Sequence, residues 1–215
     1  MKRYLPLVMC LLFGAITASA QFEYGAYAGL NASRLSGDSP DKFIYLDKVG
    51  PTFGAILNYR IKPDVRLSFQ PGYSLNRPTL AFIDDKGDEP VQRDSVYLTL
   101  DFIKLPFFFD VLSDNRKWHF MGGVDLQLSL SQKAEDAVTG ADVPIDGQLI
   151  DLNPVIYLGF GRRIPIGKPI LTVDLRFGQG ILNLGDNQSN DESLVPRIKT
   201  SSLELLVTCE FGSVD

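Results

Sequence analysis

Cysteine and histidine are scarce in this chain of 215 residues. It has two cysteines, Cys10 and Cys209, and a single histidine, His119. Cys10 falls in an apolar stretch near the N-terminus, so Cys209 alone remains if that stretch is removed. No intramolecular disulfide can then stabilise the mature protein, even in an oxidising compartment. Stability has to come from backbone pairing and packing.

Long apolar runs are also missing, with one short exception at the N-terminus. Lys2 and Arg3 precede a mostly apolar stretch at residues 5–16, and three small residues at 18–20 follow it. This order is typical of a secretory signal peptide. Beyond it, no run reaches the eighteen or so apolar residues that a membrane-spanning helix needs. The sequence predicts a signal peptide over residues 1–20 and one domain over residues 21–215.

The chain has no excess of positive charge. It carries 21 basic and 26 acidic residues, for a formal net charge of −5. The basic residues form no stripe with interleaved aromatic residues, so we expect no nucleic-acid partner.

Alternation of apolar and polar residues is what the sequence has in abundance. From Phe22 to Asn31, for example, apolar side chains at even positions alternate with Glu23, Gly25 and other residues at odd ones. Such a period of two predicts β-strands. Eight segments show it, at residues 22–31, 49–61, 65–76, 96–112, 118–130, 149–164, 171–178 and 202–211. The fourth is the least regular, and we expect a bulge near Pro106.

The connections between these segments alternate in length. Short turns are predicted at residues 62–64, 113–117 and 165–169, and long connections at 33–48, 77–94, 131–148 and 184–198. An eight-stranded antiparallel transmembrane β-barrel has this pattern, with short periplasmic turns and long extracellular loops. The fold class is therefore predicted to be all-β. The long connections hold 15 acidic and 8 basic residues, so we expect an anionic outer surface beside lipopolysaccharide.

Period two alone does not show which face of a barrel meets lipid, because a soluble barrel alternates as well. The polar face here is rich in glycine, including Gly25, Gly72 and Gly123, which suits the narrow lumen of eight strands. Aromatic residues such as Tyr24 and Trp118 fall near segment ends, as in interfacial girdles. These features favour apolar side chains that face lipid in the outer membrane.

Charged residues on the polar face should then pair across the lumen. This structural cluster is predicted to contain Arg60, Arg66, Asp101, Asp125, Asp174, Arg176, Glu204 and Glu210. A lumen filled in this way disfavours a wide diffusion pore. It is still compatible with a narrow or gated path.

Four blocks along the chain have a recognisable pattern: YGAYAGLN at residues 24–31, LSFQPGYS at 67–74, FIKLPF at 102–107 and VDLRFGQG at 173–180. In sequence, order and spacing they resemble blocks of the PorT-like outer-membrane β-barrel proteins of the Bacteroidetes type. The chain departs from the family at Gly72, where glutamate is usual, and at Lys104, where an acidic residue is usual. The resemblance implies an eight-stranded barrel in a Gram-negative outer membrane and, for the narrower PorT members, a part in type IX secretion.

Two candidate sites have weak support. His119 would have to serve as the base of any Ser-His-Asp arrangement, yet it lies beside a predicted periplasmic turn and no Gly-x-Ser-x-Gly motif is present. The acidic run at residues 84–89 lacks the spacing of an EF-hand and reads as a solvated loop. We predict no enzyme activity and no catalytic, cofactor or metal site.

The sequence thus predicts a non-enzymatic integral outer-membrane barrel with a structural or accessory role. A part in type IX secretion or surface assembly follows from the resemblance alone. Outer-membrane lipid, lipopolysaccharide and other envelope or secretion proteins are the expected partners. Apolar runs at residues 43–46 and 80–83 extend the barrel above the membrane or contact such a protein. Two alternatives stay open: a narrow conduit for small or hydrophobic solutes, as in OmpW-type barrels, and an adhesin that binds through its loops.

Overall fold

The computed structural model describes residues 21–37, 43–46, 48–76, 79–84, 91–136, 139–143, 150–183 and 198–212. The predicted signal peptide lies outside the described residues, as do parts of all four predicted long connections. Among the described residues, no helix is long and apolar enough to cross a membrane.

Twelve antiparallel strands form a single sheet in this part of the chain. They are β1 (Phe22–Gly37), β2 (Phe43–Leu46), β3 (Lys48–Lys62), β4 (Val65–Phe69), β5 (Gly72–Asn76), β6 (Thr79–Asp84), β7 (Val91–Leu112), β8 (Trp118–Asp136), β9 (Asp142–Val143), β10 (Leu152–Pro165), β11 (Ile170–Gly180) and β12 (Ile198–Phe211).

Nine of these strands close in a ring. Its order is β1, β3, then β4 and β5 together, β7, β8, β10, β11 and β12. The first and last strands seal it, because β1 pairs with β12 from Tyr24 opposite Phe211 to Gly37 opposite Ile198. Closure leaves the ring itself without an unpaired edge, and strands that cross lipid need this because no water is there to bond free backbone groups. The prediction of an all-β antiparallel barrel is confirmed.

The strands β4 and β5 lie end to end, separated by Gln70 and Pro71. Both pair with β3 on one side and β7 on the other. The ladder continues across the gap, because the Ala55 N–H donates to the Pro71 carbonyl (2.9 Å) and the Gln70 N–H donates to the Pro106 carbonyl (3.1 Å). The structure therefore has nine strand segments in the ring where the sequence predicted eight strands, with β4 and β5 sharing one position.

The bulge predicted near Pro106 is wrong. Pro106 lies opposite Asp125 in an uninterrupted stretch of the β7–β8 ladder, and the register shift falls between Asp101 and Phe102 instead. Proline removes one N–H donor, but the Pro106 carbonyl still accepts from Gln70. The neighbouring Leu105 N–H donates to the Asp125 carboxylate (3.0 Å). Pairing thus survives the proline on both sides.

Side chains alternate between a polar interior and an apolar exterior. On β8, buried His119, Asp125 and Gln127 alternate with exposed Phe120 and other apolar residues. The same alternation is seen on β10 and β11, where Ile156 and Val173 are exposed between buried neighbours. A soluble protein buries such side chains, whereas a barrel in lipid turns them outward.

Aromatic residues gather on the outer face where the short turns lie. Phe22 packs on Tyr59 with ring centroids 5.2 Å apart, and Tyr24 stacks on Phe211 at 6.0 Å. Trp118 lies 5.5 Å from the Arg162 guanidinium. Amphipathic rings of this kind are enriched at membrane–water interfaces.

At the opposite end the sheet reaches beyond the ring. There β2 pairs with β6, β6 with β7, and β9 with β8. The strands β7 and β8, with 22 and 19 residues, are the longest. Three of the predicted long connections are therefore partly strand.

Candidate functional site: the polar interior

The structure gathers most of the predicted lumen cluster inside the ring. The members that are almost fully buried are Arg66, Asp125, Asp174, Arg176, Glu204 and Glu210. Arg60 is partly exposed, at 18% of its side chain. Asp101 lies elsewhere: it shares the outward face of β7, since its neighbours Leu100 and Phe102 are both buried. We predicted that Asp101 faces the lumen because it is charged, but its position in the strand, between two inward-facing residues, directs it outward.

Arg66 is the hub of the network nearest the short turns, and its side chain is 1% exposed. Its Nη1 donates to Glu23 Oε2 (2.6 Å) and to Glu210 Oε2 (2.8 Å). Its Nε donates to Asp110 Oδ2 (3.0 Å), and Nη2 reaches the same oxygen. Arg60 is bonded to the other oxygen of Glu23. One guanidinium thus ties together three carboxylates from β1, β7 and β12.

His119 continues this network toward β11. Its Nδ1 lies 2.9 Å from Asp110 Oδ1, and its Nε2 lies 2.8 Å from Asp174 Oδ1. Arg176 Nη2 donates to the second oxygen of Asp174 (2.8 Å). A carboxylate oxygen can only accept, so two hydrogen bonds of this kind use both ring nitrogens as donors. Both nitrogens of the imidazole are therefore used in the network that links Asp110 on β7 to Asp174 on β11.

A second network lies at mid-height and centres on Glu204. Lys104 is bonded to Glu204 Oε1, and the Tyr157 hydroxyl donates to the same oxygen (2.9 Å). Asp125 adds a second carboxylate 3.7 Å from the Lys104 amine. Gln127 Nε2 then donates to Asp125 Oδ2 (3.0 Å).

Neutral polar side chains fill the interior toward the long connections. Asn31 Nδ2 donates to Ser74 Oγ (3.0 Å) and to Asn76 Oδ1 (2.6 Å). On the other wall, Asn153 Nδ2 donates to Thr200 Oγ1 (3.0 Å) and to Gln127. Polar groups thus meet one another at every level of the described interior.

Sequence reasoning missed several members of the charged networks. Glu23, Lys104, Asp110 and Arg163 were not in the predicted cluster, and neither was His119, which was predicted to lie beside a short periplasmic turn. The signal was present for Lys104 and Asp110, because the odd positions 103–111 of β7 are all apolar and the even positions therefore face the interior. The partner of Lys104 could not be found, because Glu204 on β12 is brought opposite β7 only by closure of the ring.

The charges inside the ring almost balance. The carboxylates are Glu23, Asp110, Asp125, Asp174, Glu204 and Glu210; the cations are Arg60, Arg66, Lys104, Arg163 and Arg176, with His119 as a sixth basic group. A buried ion is costly unless it is paired and hydrogen-bonded. Balance of this kind is what allows so many charged groups to be buried together.

The arrangement has little catalytic potential. His119 is only 2% exposed, and both of its nitrogens contact carboxylates, so no lone pair is directed at a nucleophile. No group of three or more histidine, cysteine or acidic side chains in the described part of the chain is placed to hold a metal ion. Most of the acidic run at 84–89 lies outside the described residues.

One family model matches most of this chain. The model of the family described as outer membrane protein beta-barrel domain matches residues 17–186. No curated protein matches this chain. Solved structures with similar folds include Ail, the attachment invasion locus protein of Yersinia pestis, with 13% identity, 89% of this chain and 99% of that chain covered, and a TM-score of 0.45.

Two further structures show the same level of similarity. Neisserial surface protein A has 14% identity over 86% of this chain and 95% of that chain, with a TM-score of 0.37. The outer membrane protease OmpT of Escherichia coli has 7% identity over 91% and 97%, with a TM-score of 0.40. Similarity this distant carries no information about activity or ligands.

Proposed function

Because this chain belongs to the outer membrane protein beta-barrel domain family, we propose that it is an integral outer-membrane barrel sealed by its own side chains. It serves as a non-enzymatic structural or accessory component. The observation that carries the proposal is the set of ion pairs that join opposite walls of the lumen. Lys104 on β7 reaches Glu204 on β12, and three ring positions separate these strands in either direction.

Other contacts close the lumen at different heights. Arg66 on β4 reaches Glu210 on β12, and His119 on β8 reaches Asp174 on β11. Aromatic rings fill space between them, as Phe108 and Tyr157 meet edge to face with centroids 6.1 Å apart. Eight strands enclose about enough room for their own side chains. This account favours a plug over a pore.

The non-enzymatic role is supported by the engaged state of His119. An enzyme at the rim of a barrel would need a base with a free lone pair next to a nucleophile or a water site. In the described interior, carboxylates occupy both ring nitrogens.

A finer assignment to PorT-like proteins, with a part in type IX secretion or surface assembly, is also proposed. It rests on the four sequence blocks. Their polar residues Asn31, Gln70, Lys104 and Asp174 are all buried inside the ring. The four sequence blocks therefore supply side chains that fill the lumen. A surface that binds a partner protein has to lie outside the lumen.

The long-connection end is the proposed partner surface. Beyond the ring, β2 pairs with β6 so that residues 43–46 (FIYL) lie opposite residues 79–82 (TLAF). A sheet extension with this composition is unusual for a surface that meets only water. Other envelope or secretion proteins are the proposed occupants, beside lipopolysaccharide.

The accessory role is tested by mild crosslinking in native outer membranes, followed by affinity recovery of the barrel. A reproducible, near-stoichiometric partner is expected. The matched variant carries Ile44→Asp and Leu80→Asp at the extension and should fold but lose the partner. Recovery of the barrel alone, from wild type and variant equally, would contradict the accessory role.

The alternatives predict different results. A narrow conduit for small or hydrophobic solutes would accelerate solute entry into liposomes, although the charged interior gives it little support. An adhesin would lose surface binding when the extension at residues 43–46 and 79–84 is deleted, while export to the outer membrane continued normally.

A further inference from the structure

A small cavity opens among the short turns, apart from the central networks. Its volume is about 150 Å³, and it is lined by the ends of β3, β7 and β10 and the turns beside them. Four of the lining side chains are cationic: Arg60, Arg116, Lys117 and Arg163. No carboxylate of the described residues lines it. The apolar wall includes Leu112 and Ile170.

Arg163 is the member that points to a ligand. It is 5% exposed, and its Nε and Nη2 are buried without a hydrogen bond to any residue that the structure describes. The nearest carboxylates, Glu210 and Glu23, lie 3.6 and 3.8 Å from Nη2, beyond hydrogen-bond length. Both are already bonded to Arg66. Buried donors of a charged group are rarely left unsatisfied, because the desolvation penalty is large.

The charged side chains that line the cavity are all cationic. Behind them, Arg66 is shared by Glu23, Asp110 and Glu210. A partly enclosed pocket with a cationic lining attracts anions more strongly than an open surface does.

The turn that carries Arg116 is held in an unusual conformation. Arg116 has φ +54°, in the left-handed region that a side chain other than glycine or asparagine seldom adopts. Hydrogen bonds fix it there: the Arg116 N–H donates to the Ser113 carbonyl (2.7 Å), and the Lys117 N–H donates to Asn115 Oδ1 (3.0 Å). The Arg163 N–H donates to the Lys117 carbonyl (2.8 Å), which ties this turn to β10. The backbone of two cationic residues is thus fixed beside the buried guanidinium.

We propose that this cavity binds the phosphate group of a phosphorylated ligand. Arg163 would donate to the phosphate oxygens, with Arg60, Arg116 and Lys117 completing the charge around it. Guanidinium groups suit this role because they present parallel donors to phosphate. Two sources fit the location, a free phosphate compound and the headgroup of a membrane phospholipid. The outer-face aromatics Trp118 and Tyr59 place this end of the barrel at headgroup level.

The test uses the full-length mature protein, folded in dodecyl maltoside, with two probes. Inorganic phosphate is titrated and followed by ³¹P line broadening. Dioleoylphosphatidylglycerol is added in mixed micelles, and retained lipid is counted by native mass spectrometry. Saturable broadening supports the site and assigns it to free phosphate. Retention of about one phospholipid without phosphate binding supports it and assigns it to a headgroup.

Variants make the outcome specific to the cavity. Arg163→Gln should weaken either probe about tenfold or more, since a charge-assisted contact is lost. The matched control is Arg162→Gln, one residue away on the outer face, which should bind as wild type does. Arg116→Gly covers the case in which Arg163→Gln fails to fold, because glycine accepts φ +54° and the change removes an exposed cation at the rim of the cavity. Failure of wild type to bind either probe saturably, or equal binding by wild type, Arg163→Gln and Arg116→Gly, would overturn the proposal.

Discussion

Replacement of Arg66 by methionine should be the most damaging single change to the charged interior. Arg66 is 1% exposed and bonded to Glu23, Asp110 and Glu210. Methionine fills much of the space without the charge, so three buried carboxylates lose their main partner. Removal of one partner of a buried ion pair destabilises a protein by about 3–5 kcal/mol.

The remaining contacts set where in that range the effect falls. Glu23 keeps Arg60, and Asp110 keeps His119, whereas Glu210 retains only Arg163 at 3.6 Å and Asn58 at 3.4 Å among its described contacts. We therefore expect a loss near the lower limit, about 3 kcal/mol in the free energy of unfolding. The control is Arg60→Met, which is partly exposed and should lose about 1 kcal/mol or less.

Urea unfolding in lipid vesicles measures both variants, with fluorescence of the sole tryptophan, Trp118, as the probe. A second variant tests the cause. Adding Glu210→Gln to Arg66→Met removes one stranded carboxylate, so the double variant should be more stable than the sum of the single losses by about 1 kcal/mol or more. The reasoning is refuted if Arg66→Met costs no more than Arg60→Met, or if the two changes are strictly additive.

Three other outcomes follow from the same structure. Gly123→Ala should prevent folding, because its Cβ would lie 1.9 Å from the Phe107 carbonyl oxygen, whereas the nearest atom to a Cβ at Gly122 is a Leu158 methyl group at 3.3 Å. Heat-modifiable gel migration separates Gly123→Ala from Gly122→Ala, and equal folding of the two would contradict the close approach of β7 and β8 at Gly123. Trp118 is 43% exposed on the outer face, so lipids brominated near the headgroup should quench its fluorescence, and quenching only by an aqueous quencher would argue against a lipid-facing exterior. Protein recovered from the outer membrane should begin at Gln21, and an intact mass that retains residues 1–20 would disprove signal-peptide cleavage.

The ring of strands could be predicted because the alternation of apolar and polar residues within a strand does not depend on which strands it pairs with. Leu126 and Leu128 alternate with Asp125 and Gln127 in the sequence, and the structure turns the leucines outward and the polar pair inward. The short turns were predictable for the same reason, since Lys62-Pro63-Asp64 interrupts the period where β3 ends.

The pairing inside the lumen was harder to predict. In the sequence, Glu204 could pair with any of several cations, and only the order of strands in the ring places it opposite Lys104. Lys104 itself was noted in the sequence only because it departs from the family pattern. Arg163 gave no signal, because it lies beside Arg162 and only the strand register separates the buried one from the exposed one. The prediction that Asp101 belongs to the lumen cluster was wrong because it relied on the charge of the residue and not on its position in the strand register.

The measurement that tests the central claim most directly is ion conductance of the purified, folded barrel in planar lipid bilayers. The account predicts no steady conductance from wild type, because ion pairs and aromatic side chains cross the lumen at several heights. Removing the mid-height plug with Lys104→Ala and Glu204→Ala together should leave the barrel folded and raise conductance. A stable open conductance in the wild-type protein, unchanged by that pair of substitutions, would contradict a lumen sealed by its own side chains.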